Sequence, residues 1–113
     1  MSKDNLVYIN HIISGIKKIS SYTKGLDEDS FNGNSLVQDA VIRQFEIIGE
    51  ATKRVSKEFR EKHPKIPWLD MAGMRDILIH DYLNVDIGIL WKTIIIDIPK
   101  LKKLLENLNK RNA

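Results

Sequence analysis

The segment GMRDILIHDY, residues 73–82, places three chemically useful side chains close together in the chain. Arg75 is followed five residues later by His80, and Tyr82 comes two residues after that. Arginine is a fixed cation whose planar donor fork matches the oxygens of a phosphate group. Histidine titrates near neutrality and can take or give a proton. These residue types indicate acid–base chemistry on a phosphate ester.

Two other kinds of site fit the segment poorly. The other histidines, His11 and His63, have no ligand spacing to His80, and the chain has no cysteine, so a metal site is not predicted. Acyl transfer needs a nucleophile beside the base, and no serine elbow is present. Cleavage of RNA without metal or cofactor fits better. Histidine would remove the 2′-hydroxyl proton, and arginine would stabilise the charge that builds on phosphorus.

The spacing limits how these side chains can meet. On a regular helix Arg75 and Tyr82 share a face, whereas Arg75 and His80 lie about 140° apart around the axis. The arginine and the histidine converge only if the helix frays or turns at its end, and HDYLNVD offers such a break. The alternative is an ordinary helix end, with His80 as a cap and Arg75 paired with Asp70 or Glu46.

The rest of the chain predicts an all-α fold, because apolar residues recur at three- and four-residue steps. Four helices are expected, over about residues 3–23, 35–63, 68–80 and 86 onward. Ser35 is the expected N-cap of the second helix, and Asp27 or Ser30 caps a short turn in the loop before it. Pro99 kinks the last helix or starts a fifth. Short connections among four to five helices indicate an antiparallel up-and-down bundle.

Composition bounds the class of protein. The 113 residues suit one domain, 1–113, and contents of 42% hydrophobic and 29% charged residues are typical of a globular chain. The most apolar stretch, GILWKTIIIDI, is broken by Lys92 and Asp97 and is shorter than the ~20 residues of a membrane span. No secretory leader is visible at the N-terminus. We therefore expect a cytoplasmic protein without a membrane partner.

The predicted helix 86–98 is apolar on nearly all sides, with six isoleucines, Leu90 and Trp91. A helix in so small a bundle has a solvent side, so this pattern indicates a second buried face. A homodimer interface is the preferred explanation, and a partner protein is the alternative.

Positive charge is unevenly distributed. The net charge is +3, yet residues 92–113 hold six basic residues against two acidic ones. A second basic cluster, KRVSKEFREKHPK, occupies 53–65. Two such patches can attract a polyanion, although charge alone favours ordinary solvated helix faces.

The segment RDILIHDY resembles the R-x4-H-x-Y motif of HEPN-domain proteins. The flanking segments VQDAVIRQFEIIGEATKRV, HPKIPWLDMAGMRDILIH and VDIGILWKTIIIDIPKLKKLL agree in order, so the resemblance spans about residues 3–108. It is strongest to the HepT-like ribonuclease toxins.

The resemblance implies a HEPN-like helical bundle that forms a homodimer and brings two motifs together across a cleft. Arg75 and His80 match the catalytic pair of a metal-independent endoribonuclease acting on tRNA or mRNA, and Asp76 matches the polar residue after the arginine. Tyr82 matches a tyrosine that a minimal nucleotidyltransferase antitoxin modifies by transferring AMP from ATP. Together these features imply the toxin of a type VII-like toxin–antitoxin pair. Asp76 stands where asparagine is commoner, and its charge can pair with Arg75.

Four further positions have two interpretations each. Glu50, with Glu46 one turn earlier, can orient Arg75 or His80, although exposure to solvent or a helix-pair salt bridge is the simpler interpretation. Trp68 and Trp91 are expected as core or interface anchors rather than as platforms for stacking on bases.

Two other functions remain open at this point. One is a non-enzymatic nucleotide- or substrate-binding subunit of a nucleotidyltransferase complex. The other is a dimeric interaction module in which the motif is only a capped helix end.

Overall fold

The computed structural model describes the backbone of residues 3–80 and 86–111, and every regular element within those ranges is a helix. The elements are α1 (Lys3–Thr23), α2 (Glu28–Asn32), α3 (Ser35–Arg54), α4 (Lys57–Lys62), α5 (Trp68–His80), α6 (Ile87–Lys92), a π-helical turn (Thr93–Asp97) and α7 (Ile98–Arg111). Helix α6, the π-helical turn and α7 follow one another without a gap. The expected all-α bundle is confirmed, with four long rods and the short helices α2 and α4.

The bundle is built around α1 and α3, which run antiparallel. Asn5, near the start of α1, contacts Ser56 just beyond the end of α3, and Gly15 lies opposite Ile48. Helix α3 also packs against α5, and α1 against α7. Their shared core is aliphatic and aromatic, with fully buried members Ile9, Ile12, Ile16, Ile19, Phe31, Val41, Phe45, Ile48, Met71 and Leu105.

The single helix expected over residues 35–63 is wrong, because the chain leaves the helix after Arg54. Val55 and Ser56 adopt extended backbone angles, with ψ of 133° and 150°. The Ser56 hydroxyl then accepts a hydrogen bond from the backbone N–H of Phe59 and caps α4 at 3.2 Å. Val55 and Phe59 are both buried, so the apolar pattern continues through the break and conceals it in the sequence.

Helix caps agree partly with the prediction. Asp27 caps α2, as expected, since its carboxylate accepts from the Ser30 N–H at 2.8 Å. The N-cap of α3 is Asn34 rather than Ser35: the Asn34 side chain accepts from the Val37 N–H at 3.1 Å. The cap is therefore one residue earlier than the serine.

Pro99 is the second residue of α7 and directly follows the π-helical turn, so the helical assignment changes at the proline, as predicted. Proline has no N–H, so the carbonyl four residues earlier, that of Ile95, loses its usual partner. The chain responds with the π-helical turn, in which the Ile98 N–H bonds to the Thr93 carbonyl five residues back. Such single π turns let a helix continue past a local disruption.

The rod formed by α6 and the π-helical turn buries one face only. Leu90, Ile94 and Ile98 join the core, whereas Ile89, Ile95 and Ile96 are at least half exposed. Within the described ranges, none of the helices is both long and apolar enough to cross a membrane.

Candidate active site

Helix α5 carries the backbone of Arg75, Asp76 and His80, and its first residue anchors it. Trp68 is buried, and its indole N–H lies within hydrogen-bonding distance of two carbonyls, those of His63 (3.0 Å) and Arg60 (3.2 Å). Its ring meets Phe59 edge-on, with centroids 6.2 Å apart. These contacts tie the start of α5 to the end of α4.

The register of α5 decides where the motif positions lie. Met71 is fully buried and Met74 packs against the same core, so this side of α5 faces the bundle. Arg75 is seven residues after Trp68, which places its backbone position on the face that begins with the buried indole. By the same geometry, position 80 lies about 120° from Trp68 around the helix axis.

The backbone of α5 is helical through His80, so no turn before that residue swings it towards Arg75. Five helical residues separate the two positions by about 7.5 Å along the axis and about 140° around it. The side chains of residues 75–80 and the whole of Tyr82 lie outside the described residues. The convergence of Arg75 and His80 within one chain therefore stays a prediction.

Glu50 lies on α3 and is exposed. It lines a groove of about 480 Å³ between α1 and α3, whose other polar walls come from Tyr8, His11, Arg43, Glu46 and Arg54. Arg43 and Glu46 form an ion pair at 3.5 Å, with both side chains at least one-third exposed. Glu46 thus has a partner on its own helix, as the salt-bridging interpretation expected.

The α1 contribution to that groove was missed from the sequence. His11 was considered only as a metal ligand, and Tyr8 not at all. Both flank the buried stripe of Ile9 and Ile12, so the helical period already assigns them to the edge of the α1 face that packs on α3. The pattern alone does not say which helix lies opposite.

Both tryptophans are packing residues, as predicted. Trp68 is buried at the start of α5, and Trp91 packs against the core with its ring 5.1 Å from that of Phe31.

Comparison with known protein families matches residues 12–108 to the family described as Ribonuclease HepT-like. The chain belongs to that family. The matched span contains all of α5 and the Arg75–His80–Tyr82 motif, so the resemblance to HepT-like ribonucleases is confirmed. The family supports ribonuclease function for this HepT-like chain.

Several curated proteins are similar over nearly the whole chain. A "probable ribonuclease HepT" of Thermococcus cleftensis is 44% identical over 110 residues, which cover 97% of this chain and all of the relative. A "putative RNase" of Methanocaldococcus jannaschii is 42% identical over 107 residues, covering 94% of this chain and 98% of the relative.

One relative is longer. A Methanocaldococcus jannaschii protein named "Gamma-glutamylcyclotransferase and putative RNase" is 51% identical over 114 residues, or 97% of this chain. The HepT-like chain spans about half of that protein, 51% of its length. No solved structure matches the chain.

Proposed function

We propose that this HepT-like chain is a metal-independent endoribonuclease that cleaves tRNA or mRNA, with Arg75 and His80 as its catalytic pair. The observation that carries the proposal is that both positions lie on one helix, α5, inside the span matched to a ribonuclease family. The anchored start of α5 fixes the helix axis and hence both backbone positions.

In the proposed cleavage reaction, every bond and proton is accounted for without a metal ion. His80 takes the proton of the ribose 2′-hydroxyl, and the 2′-oxygen attacks the adjacent phosphorus. The bond from phosphorus to the 5′-oxygen breaks, and that oxygen leaves with a proton. The products are a 2′,3′-cyclic phosphate and a 5′-hydroxyl. Arg75 donates to the phosphate oxygens that gain charge in the transition state.

A homodimer would complete the site. Because Arg75 and His80 are about 140° apart on one helix, a second copy facing the first can supply the group that the first copy does not present to the same phosphate. The exposed isoleucines Ile89, Ile95 and Ile96 support a dimer, since several large apolar side chains left exposed on one helical segment commonly mark an interface. In the dimer the histidine of the second copy can protonate the leaving oxygen.

The remaining site residues have proposed roles around this pair. Asp76 and Glu50 support it by orienting Arg75 or His80.

Tyr82 is the site of inhibition. Its phenolic oxygen loses its proton and attacks the α-phosphate of ATP bound to a nucleotidyltransferase antitoxin. Pyrophosphate leaves, and AMP stays on the tyrosine. The AMP adduct puts bulk and negative charge where the RNA phosphate must bind. The chain would thus be the toxin of a toxin–antitoxin pair in the cytoplasm.

The test is cleavage of a labelled RNA in the presence of EDTA. His80→Ala is expected to lower the rate by about 10²- to 10⁴-fold, the usual contribution of general acid–base catalysis. Arg75→Ala should be similarly impaired, while Lys24→Ala, an exposed cation on a distant loop, cleaves like the unmodified chain. Full activity in both motif variants, with unchanged circular dichroism, would refute the catalytic assignment.

A further inference from the structure

A basic groove lies where the loop between α4 and α5 meets the C-terminal helix. Its volume is about 330 Å³, with Lys62, His63 and Lys65 on one wall and Asn107 of α7 opposite. Among the described residues, every ionisable side chain that lines it is basic. The groove therefore gathers part of the basic cluster 53–65 into one concave surface, and Asn107 adds a neutral polar side chain.

The loop that carries these side chains is held in one conformation. The His63 carbonyl accepts hydrogen bonds from the Trp68 indole (3.0 Å) and from the Ile66 backbone N–H (3.2 Å). Ile66 is buried, and Pro64 and Pro67 restrict the backbone on either side of it. The Cα atoms of the two lysines are thus fixed before any ligand binds, which lowers the entropy lost on binding.

The lysine charges are available to a ligand. Lys65 makes no ion pair within the described part of the chain. Lys62 pairs with Glu58 at 3.2 Å, but the two side chains are 67% and 80% exposed. Exposed pairs of this kind contribute little to stability, so a phosphate group can displace Glu58 at small cost.

The groove leads towards the cleavage motif. Lys65 also lines a second groove of about 510 Å³ that runs beside α5 as far as Gly73 and Met74, directly before Arg75. That groove contains Lys100 as well as two acidic residues, so the purely basic part is the one at Lys62–Lys65. From Trp68, at the start of α5, the helix rises about 10 Å to Arg75. A strand stacked as in a duplex has one phosphate per about 3.4 Å, so at most about three phosphates span this length.

We propose that the groove lined by Lys62, His63 and Lys65 is a phosphate-binding exosite that holds the backbone of single-stranded RNA on one side of the cleavage motif. The exosite rests on the proposed ribonuclease function, since it gives the substrate of that site a second point of attachment. Lysine ammonium groups contact phosphates without reading bases, so the exosite adds affinity and no sequence preference.

The experiment measures binding of an oligonucleotide that the protein cannot cleave. A 12-nucleotide RNA with 2′-O-methyl riboses lacks the attacking hydroxyl, so affinity is measured apart from catalysis. The test variant is K62Q/K65Q, and the matched control is K17Q/K18Q, which removes two exposed lysines from a separate groove on α1.

The expected result follows from counterion release. Each lost contact to a single strand lowers the slope of log K against log salt by about 0.7 and weakens binding about fivefold at 0.1 M salt. K62Q/K65Q should therefore bind up to about 25-fold more weakly, with a slope smaller by about 1.4. K17Q/K18Q should retain the affinity and slope of the unmodified chain. Equal losses in the two variants, or none in K62Q/K65Q, would overturn the exosite.

Two further measurements separate the exosite from the nuclease. If the unmodified chain cuts no natural RNA, but K62Q/K65Q alone weakens its binding of the methylated RNA, the proposed nuclease fails and the groove stands as an RNA-binding surface. If it cuts RNA, and K62Q/K65Q cuts with unchanged kcat/KM, the exosite fails and the nuclease stands. A polyglutamate of equal charge that binds as tightly as the RNA, with the same loss in K62Q/K65Q, would assign the groove to an acidic protein and reject RNA.

Discussion

Asn5 and Ser56, 51 positions apart in the chain, are joined by two reciprocal hydrogen bonds. The Ser56 backbone N–H donates to the Asn5 side-chain oxygen at 2.9 Å, and the Asn5 amide donates to the Ser56 hydroxyl at 3.1 Å. The same hydroxyl caps α4 through the Phe59 N–H. Asn5 is 6% exposed, so its polar atoms depend on these bonds. The pair fastens the start of α1 to the break between α3 and α4.

Replacement of Asn5 by alanine should destabilise the fold. The change leaves the Ser56 N–H without its partner in a part-buried place, which typically costs about 1–3 kcal/mol. Urea unfolding followed by circular dichroism measures the loss. Asn10→Ala, an exposed amide on the same helix, is the control and should change the free energy of unfolding by less than about 0.5 kcal/mol. Equal effects at the two positions would show that the Asn5–Ser56 pair contributes no special stability.

The same pair explains why the sequence predicted one long helix where the structure has two. The apolar period runs unbroken through Val55 and Phe59, and periodicity is the main helical signal. Ser56 is a good N-cap residue, but serine also occurs within helices. What favours the extended backbone at Val55–Ser56 includes the contact with Asn5, which no local pattern contains. The all-α class, the end of α1 at Thr23 and the start of α5 at Trp68 were predictable because their signals are local.

In the candidate site, too, some features follow from the local sequence and others depend on tertiary contacts. The helix that carries Arg75 and His80, and its start at Trp68 directly after Pro67, followed from local residue types. The basic groove did not, because Asn107 and Leu108 come from α7, more than 40 residues after the Lys62–Lys65 loop. Sequence reasoning found the basic cluster, but its concave shape depends on a tertiary contact. Whether Arg75 and His80 converge depends on side chains beyond those described.

Two glycines in helices should respond oppositely to alanine. A Cβ at Gly73 would meet nothing within 4 Å, so Gly73→Ala is expected to raise the free energy of unfolding by about 0.5–1 kcal/mol through helix propensity. At Gly15 a Cβ would lie 3.0 Å from Cγ1 of the fully buried Ile48, where α1 crosses α3. Overpacking there typically costs about 1–3 kcal/mol and cancels or reverses the gain. Denaturant unfolding of both variants checks this. An equal gain at the two positions would mean that the helices separate freely at Gly15.

The cap at Asp27 should make stability depend on pH in acid. The hydrogen bonds from Ser30, chiefly that of its backbone N–H, lower the pKa of the Asp27 carboxyl below its ordinary value of 3.8. Because the folded pKa is lowered, the stabilisation is present above the unfolded pKa and is lost as pH falls through the folded pKa. The stability difference between the unmodified chain and Asp27→Asn should therefore shrink below about pH 4. Unfolding curves from pH 2 to pH 7 measure it. Asp29→Asn, inside α2 rather than at its cap, is the control, and an identical pH profile in the two variants would contradict the prediction.

The exposed isoleucines should decide the oligomeric state. Ile95 and Ile96 project from the π-helical turn, 53% and 50% exposed, and Ile89 lies one and a half turns earlier at 62%. If these residues form the proposed dimer interface, Ile95→Ser/Ile96→Ser removes apolar area from its centre. Burial of an isoleucine side chain contributes about 1.5–3 kcal/mol, so the double change should weaken association by about 10²-fold or more. Light scattering during gel filtration, over a dilution series, measures the shift from dimer to monomer.

Leu36→Ser is the control. It removes an equally apolar side chain that is 80% exposed at the start of α3, and it should leave the dimer intact. Since the proposed site spans two copies, RNA cleavage by the Ile95→Ser/Ile96→Ser variant should fall in proportion to its dimer fraction. A monomeric unmodified chain that cleaves RNA at full rate would contradict both the interface and the shared site.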